Sequence, residues 1–202
     1  MSEHPIELEL RAELSATQKI ELLKQLSEIG NLTSETKRLS VMFFGEIKNK
    51  KLDIRVRVTN GECEIVSKAG EYGSHNRTEV SQKIQPAQFV GMVKLLSQFG
   101  FQTKVGERET VNYSLPNNIT ASVVSAKHIS YLELEKISTQ ADEHKNHDEL
   151  KTLADKLEVS LISSEDEFEA LCQRLNQVDD WEFHYLETDY QKLETILQNY
   201  FN

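Results

Sequence analysis

Glu7-Leu8-Glu9-Leu10-Arg11 alternates charged and apolar residues at the period of a β-strand. Side chains at i, i+2 and i+4 of a strand share one face. Glu7, Glu9 and Arg11 therefore point one way, and Ile6, Leu8 and Leu10 the other. The same grammar returns at Arg55-Val56-Arg57 and Glu133-Leu134-Glu135. Like charges placed as neighbours repel. Such pairs call for a counter-charge, a metal or an anionic ligand, and three of them suggest a charged cavity inside a β shell.

Outward from that strand, Ser15-Ala16-Thr17-Gln18 matches a capping box, and Ile20, Leu23, Leu26 and Ile29 follow at helical spacing up to Gly30. Strands are expected over Leu39–Ile47, Leu52–Thr59 and Glu62–Ala69, with a turn at Lys48–Lys51 and a hairpin at Asn60-Gly61. A further strand is expected over Arg77–Ile84. Pro86 fits the first turn of a helix through Phe89, Val93 and Leu96. Strands at about 103–115, 119–126 and 130–138 complete a set of eight. The tail reads as three helices, two of them opened by capping boxes at Ser164–Glu167 and Thr188–Gln191. No internal repeat of fixed period is evident.

The 202 residues carry 33 acidic and 23 basic side chains, a formal charge of −10. Nucleic acid is not an expected partner for such a molecule. No apolar run approaches the roughly 18 residues of a membrane span, so no membrane partner is expected, and no secretory leader is visible at Met1. Cys63 and Cys172 lie far apart and outside any metal spacing, which fits a reducing, cytoplasmic setting.

The charge is uneven. Acidic residues crowd 139–202, whereas Arg55, Arg57, Lys68, Arg77, Lys104 and Arg108 fall in the expected strands. Carboxylate oxygens suit hard cations such as Mg²⁺ or Mn²⁺. Arginine forks suit phosphate oxygens, and lysine supplies a point charge. A cavity holding both sets can take a polyphosphate together with its metal.

These motifs, taken in order, resemble the CYTH superfamily, the triphosphate tunnel metalloenzymes. That family includes inorganic triphosphatases, thiamine triphosphatase and the class IV adenylate cyclases. Its N-terminal Glu-x-Glu-x-Lys strand is matched by Glu7-x-Glu9-x-Arg11, and its Arg-x-Arg strand by Arg55-x-Arg57. Glu64 with Lys68, then Arg77-x-Glu79, then Lys104 and Arg108 after Gln98-Phe99-Gly100-Phe101, follow in turn. Tyr131-Leu132-Glu133-Leu134-Glu135 resembles the closing motif. The resemblance covers about residues 5–138.

The resemblance implies an α+β fold, an eight-stranded antiparallel β-barrel forming a tunnel, with flanking helices and a helical tail, all in one domain over residues 1–202. It implies Glu7, Glu9, Glu133 and Glu135 as ligands of Mg²⁺ or Mn²⁺. Arg55, Arg57, Lys68, Arg77, Lys104 and Arg108 would hold the triphosphate, Arg11 and Lys68 would serve catalysis, and Glu64 and Glu79 would be further lumen residues. The expected activity is metal-dependent hydrolysis of a triphosphate (tripolyphosphate, thiamine triphosphate or ATP) by a monomer or homodimer. Two alternatives stand beside it: a class IV type adenylate cyclase making cyclic AMP from ATP, and a triphosphate-binding protein of weakened catalysis. Three positions depart from the family pattern. Arg11 replaces the lysine, Gly45 follows Phe43-Phe44 where an Asp is common, and Ile119–Ser125 lacks the Asp that usually helps hold a metal.

Overall fold

A computed structural model of the chain describes residues 6–69 and 78–201. The fold is α+β, with nine antiparallel strands and five helices among those residues. The strands are β1 (Ile6–Leu14), β2 (Asn31–Ile47), β3 (Lys50–Thr59), β4 (Glu62–Ala69), β5 (Thr78–Ile84), β6 (Gln102–Leu115), β7 (Ile119–Ser125), β8 (Ser130–Ser138) and β9 (Trp181–Glu182). The helices are α1 (Ala16–Ile29), α2 (Phe89–Ser97), α3 (Glu143–Lys156), α4 (Glu165–Val178) and α5 (Glu187–Leu197). The strand order is β1-β8-β7-β6-β2-β3-β4-β5, with β9 pairing β6. This hydrogen-bonded path is open, with β1 and β5 as its ends, where the resemblance implies a closed barrel. No helix among the described residues is long and apolar enough to cross a membrane.

The chain forms two compact units. The first comprises Met1–Glu35 and Glu109–Leu175, and the second Thr36–Arg108 and Asn176–Asn202. In the first, alternation in β1 turns Leu8, Ala12 and Leu14 into a core shared with Ala121 and Val123 of β7 and Leu132 and Leu134 of β8. Leu22 and Leu26 of α1 and Leu150 and Ala154 of α3 cover that face. The capping box is present: the Gln18 amide donates to Ser15 Oγ, and Ser15 donates back to Gln18 Oε1.

In the second unit, Leu39, Val41, Phe43, Val56 and Val58 pack against Phe89 and Val93 of α2 and Leu193 of α5. Asn60 and Gly61 both take positive φ, as the sequence signal requires, and Lys48-Asn49 makes a second turn of the same kind.

Several boundaries differ from expectation. The second strand begins at Asn31, eight residues early, because its polar first half has no alternation to read. Pro86 opens a short 3-10 turn before α2 rather than the α-helix itself. Helix α5 starts before Thr188, and its cap is the Asp189 carboxylate, which accepts from the Leu186 and His184 amides. At α4 the Glu167 carboxylate accepts from the Ser163 amide, while the Glu167 amide donates to Ser164 Oγ. The strand β9 escaped the sequence reading because two residues carry no period.

Gly30 ends α1 where a Cβ would lie 2.3 Å from Leu115 Cδ2 and 2.9 Å from the Ser114 carbonyl oxygen. The backbone atom cannot step aside as a rotamer can. Gly30→Ala is expected to destabilise the protein by about 1–3 kcal/mol. Urea unfolding checks this, and an unchanged midpoint would show that the β6 terminus yields.

Candidate functional site

In the first unit, β1 pairs β8 so that Glu9 stands opposite Glu135 and Arg11 opposite Glu133. Carboxylate oxygens of Glu9, Glu133 and Glu135 all lie within 4.8 Å of one another. Glu7 sits one step further along the same face, opposite Ile137, and is exposed outside this trio. Arg11 ion-pairs with Glu9, and its Nε donates to Glu133 Oε1 at 3.0 Å. Next to this pair, β7 places Ser122 opposite Glu133 and Thr120 opposite Glu135. Ser122 is 7% exposed and donates to Asn112 Oδ1 at 2.7 Å, and Asn112 Nδ2 donates to Ser34 Oγ at 2.9 Å. A neutral relay thus occupies the strand where the family pattern carries an acid.

Burial pushes the Glu9 carboxyl from its ordinary 4.5 up to about 8. Arg11 opposes this rise, while the hydrogen bond and charge of Glu133, and the charge of Glu135, add to it. Burial also works against the charge on Arg11, but Glu9 and Glu133 outweigh it and raise its pKa. Three carboxylates crowd this small space, with Arg11 paired to two of them. An all-oxygen donor set of this kind fits a hard divalent cation.

In the second unit, Asp53, Arg55 and Arg57 share one face of β3, with Glu64 and Lys68 of β4 and Glu79 of β5 beside them in register. Each cation has a carboxylate partner. Arg55 makes a two-pronged pair with Asp53, through Nε to Oδ1 at 2.8 Å and Nη2 to Oδ2 at 2.7 Å. Arg57 Nε donates to Glu64 Oε1 at 2.8 Å, and Lys68 Nζ lies 2.8 Å from Glu79 Oε2. Burial would raise the Glu79 pKa, yet the hydrogen bond and charge of Lys68, with Arg57 and Arg55, hold it below the ordinary value.

Arg108 grips Asp180 through Nη1 at 2.7 Å and Nη2 at 3.1 Å. Lys104 is half-buried opposite Glu182 of β9. Arg77 lies outside the described residues. The sequence reading missed Asp53, 1% exposed, and Asp180, whose side chain is 3% exposed. Asp53 carried a legible signal, since Asp53-x-Arg55-x-Arg57 puts it on the arginine face. Asp180 carried none, being 72 positions from its partner.

Comparison with known proteins finds fold likeness only. No family model matches, and no curated protein matches. The PH1012 protein of Pyrococcus horikoshii OT3 aligns with a TM-score of 0.58 at 21% identity, over 77% of this chain and 92% of that one. A putative adenylate cyclase of Vibrio parahaemolyticus gives 0.55 at 12% identity, over 93% of this chain and 98% of its own. A putative adenylyl cyclase of Hippeastrum, described as revealing a dominant triphosphatase activity, gives 0.50 at 15% identity, over 84% and 96%. The chain therefore shares its antiparallel α+β fold with these proteins, with an open strand path where its motifs led us to expect a closed barrel.

Two measurements test the electrostatics. Because the folded pKa of Glu9 lies above its unfolded value, the folded state holds an extra proton between about 4.5 and 8. The stability this proton contributes is full below that window and is lost as pH rises through it. In EDTA, Glu9→Gln is expected to flatten the decline of Tm between pH 5 and 8 and to gain a few degrees over wild type at pH 8, at roughly 2–4 °C per kcal/mol. Identical slopes in the two chains would mean that Glu9 ionises normally. Separately, Asp180→Ala strands the Arg108 charge, and its expected loss is about 3 kcal/mol by chemical denaturation. A loss under about 1 kcal/mol would mark the pair as solvated.

Proposed function

We propose that the chain is a divalent-metal-dependent phosphohydrolase acting on a small-molecule triphosphate. The observation that carries this reading is the Glu9, Glu133 and Glu135 trio, whose carboxylate oxygens lie within 4.8 Å of one another. The fold it shares with proteins described as putative adenylate cyclases, one with a dominant triphosphatase activity, supports the substrate class.

In this reading, Glu9, Glu133 and Glu135 hold Mg²⁺ or Mn²⁺, with Glu7 adding negative charge at the margin. When bound, such an ion neutralises phosphoryl oxygens and favours attack by water. Arg11 fixes the orientation of Glu9 and Glu133. Arg55, Arg57, Lys68, Lys104 and Arg108 are the candidate groups for phosphoryl oxygens, whose transition-state charge such cations would stabilise.

Their resting partners divide them into two kinds. Lys68 and Arg57 face Glu79 and Glu64, whose side chains are 44% and 26% exposed, so exchanging carboxylate for phosphate leaves a group that water can solvate. Arg55 and Arg108 face nearly buried aspartates, and abandoning those would strand a buried charge. They stay paired and contribute positive charge at fixed positions. Water attacks the terminal phosphorus and gives up a proton to solvent, the bond from that phosphorus to the bridging oxygen breaks with its electron pair staying on the departing diphosphate, and the attacked group is released as phosphate.

A second reading, tight binding with weak turnover, is favoured by the Ser122–Asn112 pair standing where an acid is usual. Phosphorus NMR of tripolyphosphate, thiamine triphosphate and ATP with Mg²⁺ or Mn²⁺ separates the possibilities. Release of phosphate is expected, with a loss of at least about 100-fold in Glu133→Gln. Cyclic AMP with pyrophosphate would instead make the protein a cyclase. Binding with no product would favour the second reading, and equal rates in the variant would remove the trio from the mechanism.

A further inference from the structure

Arg108 is gripped by a segment 72 positions further along the chain. Asp180 accepts from Arg108 Nη1 at 2.7 Å and from Nη2 at 3.1 Å, and Nη1 also donates to the Glu107 carbonyl oxygen at 2.8 Å. Contacts to two different nitrogens fix the plane of a guanidinium as well as its place. Lys104, Gly106 and Arg108 alternate along one face of β6, while Val105 between them is buried in the core. Asp180 lies over that face at Gly106, where a Cβ would stand 2.4 Å from its Oδ1 and 3.0 Å from its Cγ. The bare glycine is what lets the aspartate come this close to the strand.

The segment that carries Asp180 is itself anchored. The next two residues form β9, with Trp181 opposite Val105 and Glu182 opposite Lys104. The Phe183 amide then donates to the Thr103 carbonyl oxygen at 2.9 Å, and the Phe183 ring is buried edge-on against Tyr190. The backbone of the aspartate is thus tied to the strand whose arginine it holds.

We propose that Asp180 is a positioning residue for Arg108 in triphosphate binding, which makes the segment after α4 part of the site. The inference rests on the reading of Arg108 as a group for phosphoryl oxygens. A loose arginine must be ordered when the anion arrives, at a cost in side-chain entropy. Arg108 is ordered beforehand. The same carboxylate also offsets the arginine's charge, so its two effects on an incoming anion have opposite signs. Its side chain is 3% exposed, and separation would leave a buried charge unpaired. It therefore acts as a fixed support and not as a rival that the anion displaces.

Calorimetric titration of the full chain with a methylene-bridged triphosphate analogue and Mg²⁺ reads binding without turnover. Wild type is expected to bind, and Arg108→Gln to bind at least about tenfold more weakly. Asp180→Asn keeps the size and one acceptor oxygen, and is expected to lose about fivefold. Gly106→Ala leaves both charges but crowds the carboxylate off the guanidinium, and is expected to weaken binding to a similar degree. In the Arg108→Gln background neither change weakens binding further, because the residue they act through is gone. A general loss of structure would weaken binding in both backgrounds. Circular dichroism checks folding; if one of the two variants does not fold, the other decides.

Binding by Asp180→Asn and Gly106→Ala as tight as wild type, or tighter, would overturn the proposal, and so would equal losses with and without Arg108. If Arg108→Gln binds as wild type does, or wild type does not bind, the phosphate reading of Arg108 fails and both ideas fall. If Arg108→Gln weakens binding and the other two changes do not, only the positioning role falls.

Discussion

The pairing of β1 with β8 sets like charge against like at Glu9 and Glu135, and opposite against opposite one step away at Arg11 and Glu133. Directly opposed like charges destabilise a sheet. This pair is held in place by what lies on the other face: Leu8, Ala12 and Leu14 of β1 and Leu132 and Leu134 of β8 are buried beneath α1 and α3. A slip of one residue would send those leucines to the charged side and the glutamates into the core. Apolar burial thus enforces an electrostatic arrangement that the charges alone would not adopt. Arg11, paired with both Glu9 and Glu133, is what makes it tolerable.

The second unit solves a related problem differently. Its cations are not crowded against one another; each is matched to a carboxylate on the same face or on β5, or reaches one in the tail. The matching is graded. Asp53 and Asp180 are almost wholly inside, and they fix Arg55 and Arg108 as rigid donors. Glu64 and Glu79, the partners of Arg57 and Lys68, are more exposed than those aspartates. The second unit therefore combines cations paired with buried carboxylates and cations paired with more exposed ones.

Local pattern was enough to find the first of these arrangements. Alternation in Ile6–Leu14 and Ser130–Ser138 located both strands and their inward faces, Asn60-Gly61 located the hairpin, and Ser15 with Gln18 located a helix start. What escaped has a common physical cause. Strand β2 begins in a polar stretch whose pairing, not its composition, makes it a strand. Strand β9 is only two residues long. The Arg108–Asp180 pair and the Gly106 that admits it are legible only in three dimensions, because a Cβ at Gly106 would sit 2.4 Å from Asp180 Oδ1. The sequence displays which residues are charged; which charges are already satisfied depends on contacts far apart along the chain.

Arg11 and Glu133 are separated by 122 positions, and both compact units are assembled from separate stretches of the chain. On the ribosome, β1 emerges long before its partner exists. Until β8 follows, the first strand has neither its hydrogen-bonding neighbour nor the leucines that bury its apolar face. The intervening residues of the second unit must be made in between. Long-range pairing of this kind slows folding and leaves an unpaired edge open to wrong partners. During that interval the glutamates and arginine of Ile6–Leu14 have a second use. They keep a nascent strand wet and hard to aggregate until the segment that will enclose it arrives.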